Sequence, residues 1–319
     1  MSDKDVTGLG LTFGTSEEGA EWAGKTLPRR STEFEVNRAM IVDFCGLVED
    51  ANPRFWKGDE APWGLLMTWS FPLSWHPSGS RRPSLGALEV PLPGHHIINV
   101  ATDTEFVRPL RVGERVSWDD EIVSVSDPKT TRLGTGHFLT SRTTYFGGDE
   151  EVAVNTNIVF RYDIPETSPQ PGGGTNGQAA GAGAKPAIDP VTGPAAELPS
   201  ISMPIDYRRV VHNAAATWDW FPGHHNPEYA RDQGQRTIYL STLFFHGFID
   251  RAANEWFGPS YRPRRRRIEM KRSIYAGQTA TAVARTLDTT AGTTRINGTV
   301  DSEEGPAVSF FIDVAPTKE

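Results

Sequence analysis

The sequence predicts an α+β protein built from two similar units, each an antiparallel sheet wrapped around one helix. Three observations carry this prediction. Each half of the 319-residue chain runs in the same order: helix, turn, second apolar helix, then strand-like segments. The connections between those strands are too short for crossovers, so neighbours must pair antiparallel. A Gly-, Pro- and Ala-rich stretch, residues 165–199, separates the halves; it lacks aromatic residues and apolar periodicity. Such composition cannot offset its ordering entropy and predicts a flexible linker. The domains are therefore expected at 16–164 and 200–319.

In the first half, Met40, Ile41, Phe44, Leu47 and Val48 recur at helical spacing over Arg38–Val48. Asn52-Pro53 marks a turn, and an apolar run, Trp63–Trp69, predicts the second helix. Pro72 should end that helix early, since Pro inside a helix costs about 3 kcal/mol. Strands are expected at Asn99–Arg108, Glu114–Ser124, Gly136–Phe146 and Glu151–Tyr162, which are rich in Val, Thr, Phe and Tyr. In the second half, helices are expected at Tyr207–Trp218 and Leu240–Trp256. Strands should follow at Arg266–Ala276, Thr279–Leu287, Thr293–Asp301 and Ala307–Val314. Two such units placed side by side can pair their exposed edges into one continuous sheet.

Composition narrows the function classes. A formal charge of −8 argues against nucleic acid as the main partner, and the single cysteine, Cys45, rules out an internal disulfide framework. Cys45 is expected to be a buried small hydrophobe. The start, MSDKDV, has neither a basic nor an apolar signal region, and no apolar run is long enough to span a bilayer, so a cytoplasmic protein is expected. No glycine fingerprint opens a helix after a strand, so no redox cofactor is implied. His95-His96 lack further ligands at metal spacing, and no metal is expected.

The candidate chemistry lies in Asp219-Trp-Phe-Pro-Gly-His224. Five residues apart, the two side chains would not share a helix face, and Pro222-Gly223 forbids that helix. A bent loop can bring a carboxylate and an imidazole to one water. By spacing alone, a capping Asp and a surface His account for the pattern better.

The flanking residues favour the chemistry. Asp219–Arg231 (DWFPGHHNPEYAR) resembles the MaoC-like, R-specific enoyl-CoA hydratases, whose motif is Asp-x-Asn-Pro-x-His. Asp219, Pro222 and His224 fall in register, with Phe221 in place of the Asn. Asp50-Ala-Asn52-Pro53-Arg-Phe55 looks like a second copy that has lost its His at Phe55. Thr131–Thr143 also resembles the dehydratase-like domain that accompanies the active one. The resemblance implies a double hot-dog fold, a degenerate first half and a catalytic second half. It implies an acyl-CoA or carrier-protein thioester substrate, with water added syn to a trans-2-enoyl thioester to give the (3R)-hydroxy product. Asp219 and His224 would activate the water. A backbone N–H of Ser241 or Thr242 would hold the thioester oxygen. Phe221, Gly223 and His225 would adjoin the substrate.

Arg262 and Arg264–Arg267 form the strongest basic cluster. Arg264 and Arg266 could meet CoA phosphates, but strand residues balanced by acidic neighbours explain the run slightly better. His137 and His246 are expected to be structural. Two rival readings remain: a hot-dog thioesterase using Asp250, and a non-catalytic acyl-binding subunit. The halves can pair within one chain, and a further homodimer is open. An early end to the first half's central helix at Pro72 is either an ordinary helix end or the opening of a cleft for a bulky acyl group.

Overall fold

The computed structural model describes residues 7–71, 75, 77, 85–164, 196–290 and 292–317. Most of the expected linker and Pro72 itself lie outside the described residues. The first half contains α1 (Ser16–Ala20), β1 (Arg30–Glu35), α2 (Arg38–Val48), α3 (Pro53–Trp56), and 3-10 helices at Trp63–Ser70 and Gly86–Leu88. It continues with β2 (His96–Phe106), β3 (Arg115–Val125), β4 (Lys129–Thr131), β5 (Gly134–Gly147) and β6 (Glu150–Asp163). The second half contains β7 (Ala196–Glu197), β8 (Ile201–Ile205), α4 (Tyr207–Thr217), a 3-10 turn at Pro222–His224, α5 (Pro227–Asp232) and α6 (Thr242–Phe257). Strands β9 (Tyr261–Met270), β10 (Gln278–Thr290), β11 (Thr293–Ser302) and β12 (Gly305–Pro316) complete it.

Among the described residues all strands join one 12-stranded sheet, ordered β1-β3-β5-β6-β2-β9-β12-β11-β10-β7, with β4 on β5 and β8 on β10. The halves meet where β2 pairs antiparallel with β9, Thr102 opposite Ile268. Edge-to-edge pairing thus removes one exposed edge from each half.

The central helix α6 buries Phe244, Phe245, Phe248 and Ile249. It crosses the 3-10 helix of the first half very closely: a Cβ on Gly64 would come within 2.7 Å of the Gly247 backbone. Only glycine at that crossing lets the two backbones touch. The first half's counterpart of α6 is therefore a short 3-10 helix, where an α-helix had been expected from its apolar run. Its eight residues are all buried, so apolarity reported burial and not helix type. Strand β9 also starts five residues before its expected position, at Tyr261.

Helices α2 and α4 are built alike. Asn37 and Asp206 cap their first turns by accepting backbone N–H bonds from Met40 and Arg209. Each ends at a left-handed non-glycine residue, Glu49 (φ 57°) and Trp218 (φ 55°), the only such residues among those described. This conformation costs about 1–2 kcal/mol at an ordinary residue. Both stand immediately before the aspartate of their loop, Asp50 and Asp219, so the duplication persists in the backbone. Trp218 is held edge-to-face against Trp69 and Phe34.

Candidate active site

Helix α4 delivers Asp219, and the tight turn after it delivers His224. Gly223 is required between them: a Cβ there would meet the Tyr239 hydroxyl at 2.6 Å and the Phe221 ring at 2.7 Å. Both backbone and side chain tie this turn to the segment leading into α6. The Tyr239 N–H donates to Gly223 O at 3.2 Å. His224 Nδ1 lies 2.7 Å from Tyr239 O, so the ring must carry its proton there. That leaves Nε2 with a free lone pair, facing Asp219 Oδ2 at 3.6 Å. The gap is too long for a direct hydrogen bond but suits two groups that share a third.

Both residues are buried, Asp219 at 7% and His224 at 6% exposure. Burial pushes the Asp219 carboxyl up from its ordinary value, against the lowering effect of His224 and of hydrogen bonds from Phe221 N–H and the Ser241 side chain. Burial pushes the His224 imidazole down, against the raising effect of Asp219. A weakened carboxylic acid and a neutral imidazole therefore stand together.

Asn213 of α4 orders the start of α6. Its Oδ1 accepts the Ser241 backbone N–H at 2.7 Å, and its Nδ2 donates to Ser241 Oγ at 3.0 Å. With an oxygen lone pair of Ser241 occupied, its hydroxyl proton is directed to Asp219. Sequence reasoning missed Asn213. The available signal was a polar residue within the helix of VVHNAAAT, where Asn has poor helix propensity. The same bond corrects one expectation: Ser241 N–H is engaged and cannot hold a thioester oxygen. Thr242 N–H, in the first turn of α6, has no acceptor among the described residues.

The pair opens on a cleft of about 140 Å³ that continues into open solvent. Asp219, Phe221, His224, Ser241 and Thr242 line it from the second half. Met67, Phe71, Leu85, Leu88 and Ile97 line it from the first. Gly223, His225, Arg264 and Arg266 do not. His225 turns away, with Nε2 3.1 Å from Trp220 O. Arg266 is buried and ion-paired with Asp250, and it donates to His246 O. The basic cluster is matched by carboxylates: Arg262 by Glu60, Arg265 and Arg267 by Asp103. Arg266 is thus a packing cation and not a phosphate ligand.

Asp250, the thioesterase candidate, is held by Arg266 away from the cleft, and burial pushes its carboxyl up to about 6. The Asp50 copy is also committed elsewhere. Its carboxylate accepts from Asn52 N–H and from Asn254 of α6, both at 2.9 Å, and Phe55 is buried in the core. Among the described residues, no group of three or more His, Cys, Asp or Glu could hold a metal ion, and no helix is long and apolar enough to cross a membrane.

Comparison with known proteins agrees with this architecture. Residues 22–156 match the family described as FAS1-like, dehydratase domain region. A protein of Thermomonospora curvata named probable enoyl-CoA hydratase alpha subunit is 30% identical over 142 residues, which cover 39% of this chain and 44% of that protein. The match thus spans less than half the length of that relative. A solved MaoC-like dehydratase superposes with a TM-score of 0.71 at 14% identity, covering 94% of this chain and all of the other. A Mycobacterium tuberculosis protein described as having a double hotdog fold gives 0.58 at 12% identity, covering 92% and 96%. The fold is a double hot dog, and residues 22–156 are similar to the FAS1-like dehydratase region. The chain is similar to enoyl-CoA hydratases and dehydratases at modest identity.

Proposed function

We propose that this protein adds water to a trans-2-enoyl thioester of CoA or a carrier protein, or removes it in reverse, through Asp219 and His224. The observation that carries the reading is the buried pair 3.6 Å apart, facing a cleft at the start of α6. A water bonded to both groups gives a proton to His224 Nε2 as its oxygen attacks C3. Asp219, kept protonatable by burial, gives a proton to C2 on the same face. A proton then returns from His224 to Asp219, so one water is consumed and the pair is restored. The (3R)-hydroxyacyl product follows when the face of C3 turned to the pair is the one whose attack gives R, as the resemblance to R-specific hydratases implies. The Thr242 N–H, with the positive end of the α6 dipole, suits the thioester oxygen as charge develops on it.

In this reading residues 200–319 carry the catalytic unit, and residues 16–164 have become a wall. Loss of an imidazole at Phe55 breaks the relay there. The apolar face contributed by Met67, Phe71, Leu85 and Leu88 suits a bulky acyl group. The test is a hydration assay on short, long and polycyclic trans-2-enoyl-CoA substrates, with product chirality and free thiol both recorded. Formation of (3R)-hydroxyacyl-CoA without thiol release is expected. Thiol release, or no hydration of any substrate, overturns the proposal.

A further inference from the structure

The first half's wall of the cleft is apolar except at one place. Along β2, Thr104 Oγ1 donates to Asn155 Oδ1 at 2.8 Å, and Thr102 Oγ1 lies 2.9 Å from His246 Nε2. Regular alternation would put Val100 next on that face. The register instead shifts, with Ala101 opposite Ile158 and Asn99 opposite Val159. The extra residue exchanges the two faces of the strand beyond it. It is this irregularity that brings Asn99 to the cleft beside Asn157 and Val159.

Asn99 Nδ2 donates to Asn157 Oδ1 at 2.8 Å. That bond leaves Asn99 Oδ1 buried, with no partner among the described residues. Asn157, itself 5% exposed, still has its amide N–H bonds to give, and among the described residues no acceptor meets them. An acceptor and a donor thus stand side by side on a wall otherwise shaped for hydrocarbon. The buried, unpartnered Asn99 Oδ1 is costly, so a wall meant only for an alkyl chain would be better served by Leu or Val there.

We propose that Asn99 and Asn157 form a hydrogen-bonding subsite for a hydroxyl group on the acyl chain, distinct from the hydroxyl made or lost at C3. An alcohol can donate to Asn99 Oδ1 and accept from Asn157 Nδ2 together; a ketone or ether can only accept. This rests on the enoyl-thioester reading and adds the substrate class: an apolar acyl group interrupted by an alcohol.

The test compares trans-2-dodecenoyl-CoA with regioisomers carrying one hydroxyl walked along the distal half of the chain. Wild-type enzyme should favour one regioisomer in kcat/KM by about tenfold or more, the scale expected where a polar group is otherwise left unpaired. In Asn99→Leu that ratio should fall to about one. Calorimetric binding of the saturated analogues reads the same preference without turnover. Lack of hydration of every substrate therefore overturns only the reading of the reaction. Flat affinities across the series, a wall satisfied by bound water alone, or a preference that survives in Asn99→Leu overturns the subsite.

Discussion

Asn213 Oδ1 accepts the Ser241 backbone N–H at 2.7 Å, and through this bond helix α4 sets where helix α6 begins. The same amide directs the Ser241 hydroxyl toward Asp219. One side chain therefore holds the Asp219 carboxylate and the helix start in fixed relation. Asn213→Ala should lose about 1–3 kcal/mol of stability, because it leaves a buried N–H unpaired. It should also lower kcat more than it raises KM. Asn213→Asp keeps the acceptor and should recover part of the loss. Urea unfolding and steady-state hydration kinetics check both effects.

Asp219→Asn and His224→Ala should each reduce kcat about 10²–10⁴-fold, the range for a general acid or base. The secondary structure seen by circular dichroism should be unchanged. Near-normal hydration by either variant contradicts the assigned roles.

The acid limb of the hydration pH profile should fall under pH 6.5, because burial lowers the His224 imidazole below that ordinary value. The coupled pair titrates as a unit, so the limb belongs to both groups. A limb at or above 6.5 would contradict a water-excluded pair.

Stability should respond to pH through His246, which burial holds well below 6.5. The unfolded chain takes up a proton near pH 6.5 that the folded chain refuses. Stability is therefore lost as pH falls through 6.5, by up to about 1.4 kcal/mol per pH unit. Asp250 acts with the opposite sign. Its folded carboxyl titrates at about 6 and its ordinary value is 3.8, so its contribution is present below 3.8 and lost as pH rises to about 6. His246→Gln separates the two: its stability relative to wild type should improve on acidification, as measured by urea unfolding from about pH 8 to about pH 5.

Breaking the buried Asp250–Arg266 pair should be expensive. Arg266→Ala leaves an unpaired buried carboxylate and should cost about 3–5 kcal/mol. The Asp250→Leu/Arg266→Met double variant should recover most of it, and thermal unfolding checks the order.

Much of this molecule could be read from single residues in order. The long strands β5, β6, β11 and β12 declare themselves by their Val, Thr and Phe runs. The Asp219–His224 loop declares itself by Pro222-Gly223. What escaped depends on partners distant in the chain. The arginines of β9 read already as strand residues balanced by acidic neighbours, but only the fold shows that those neighbours are Asp103 and Glu60. Ser241 reads as a free donor until Asn213, 28 positions away, takes its N–H. Strand β1 is nearly all polar, and β8 buries Ile201, Met203 and Ile205 in alternation but is only five residues long and carries Pro204, which argues against a strand.

The seam between β2 and β9 has a further consequence. The cleft takes its titrating pair from one side of that seam and most of its apolar wall from the other. With both sides on one chain, assembling the cleft is a first-order event governed by effective concentration and not by how much protein is present. Dilution that would take apart a two-chain version of the same sheet leaves this cleft whole.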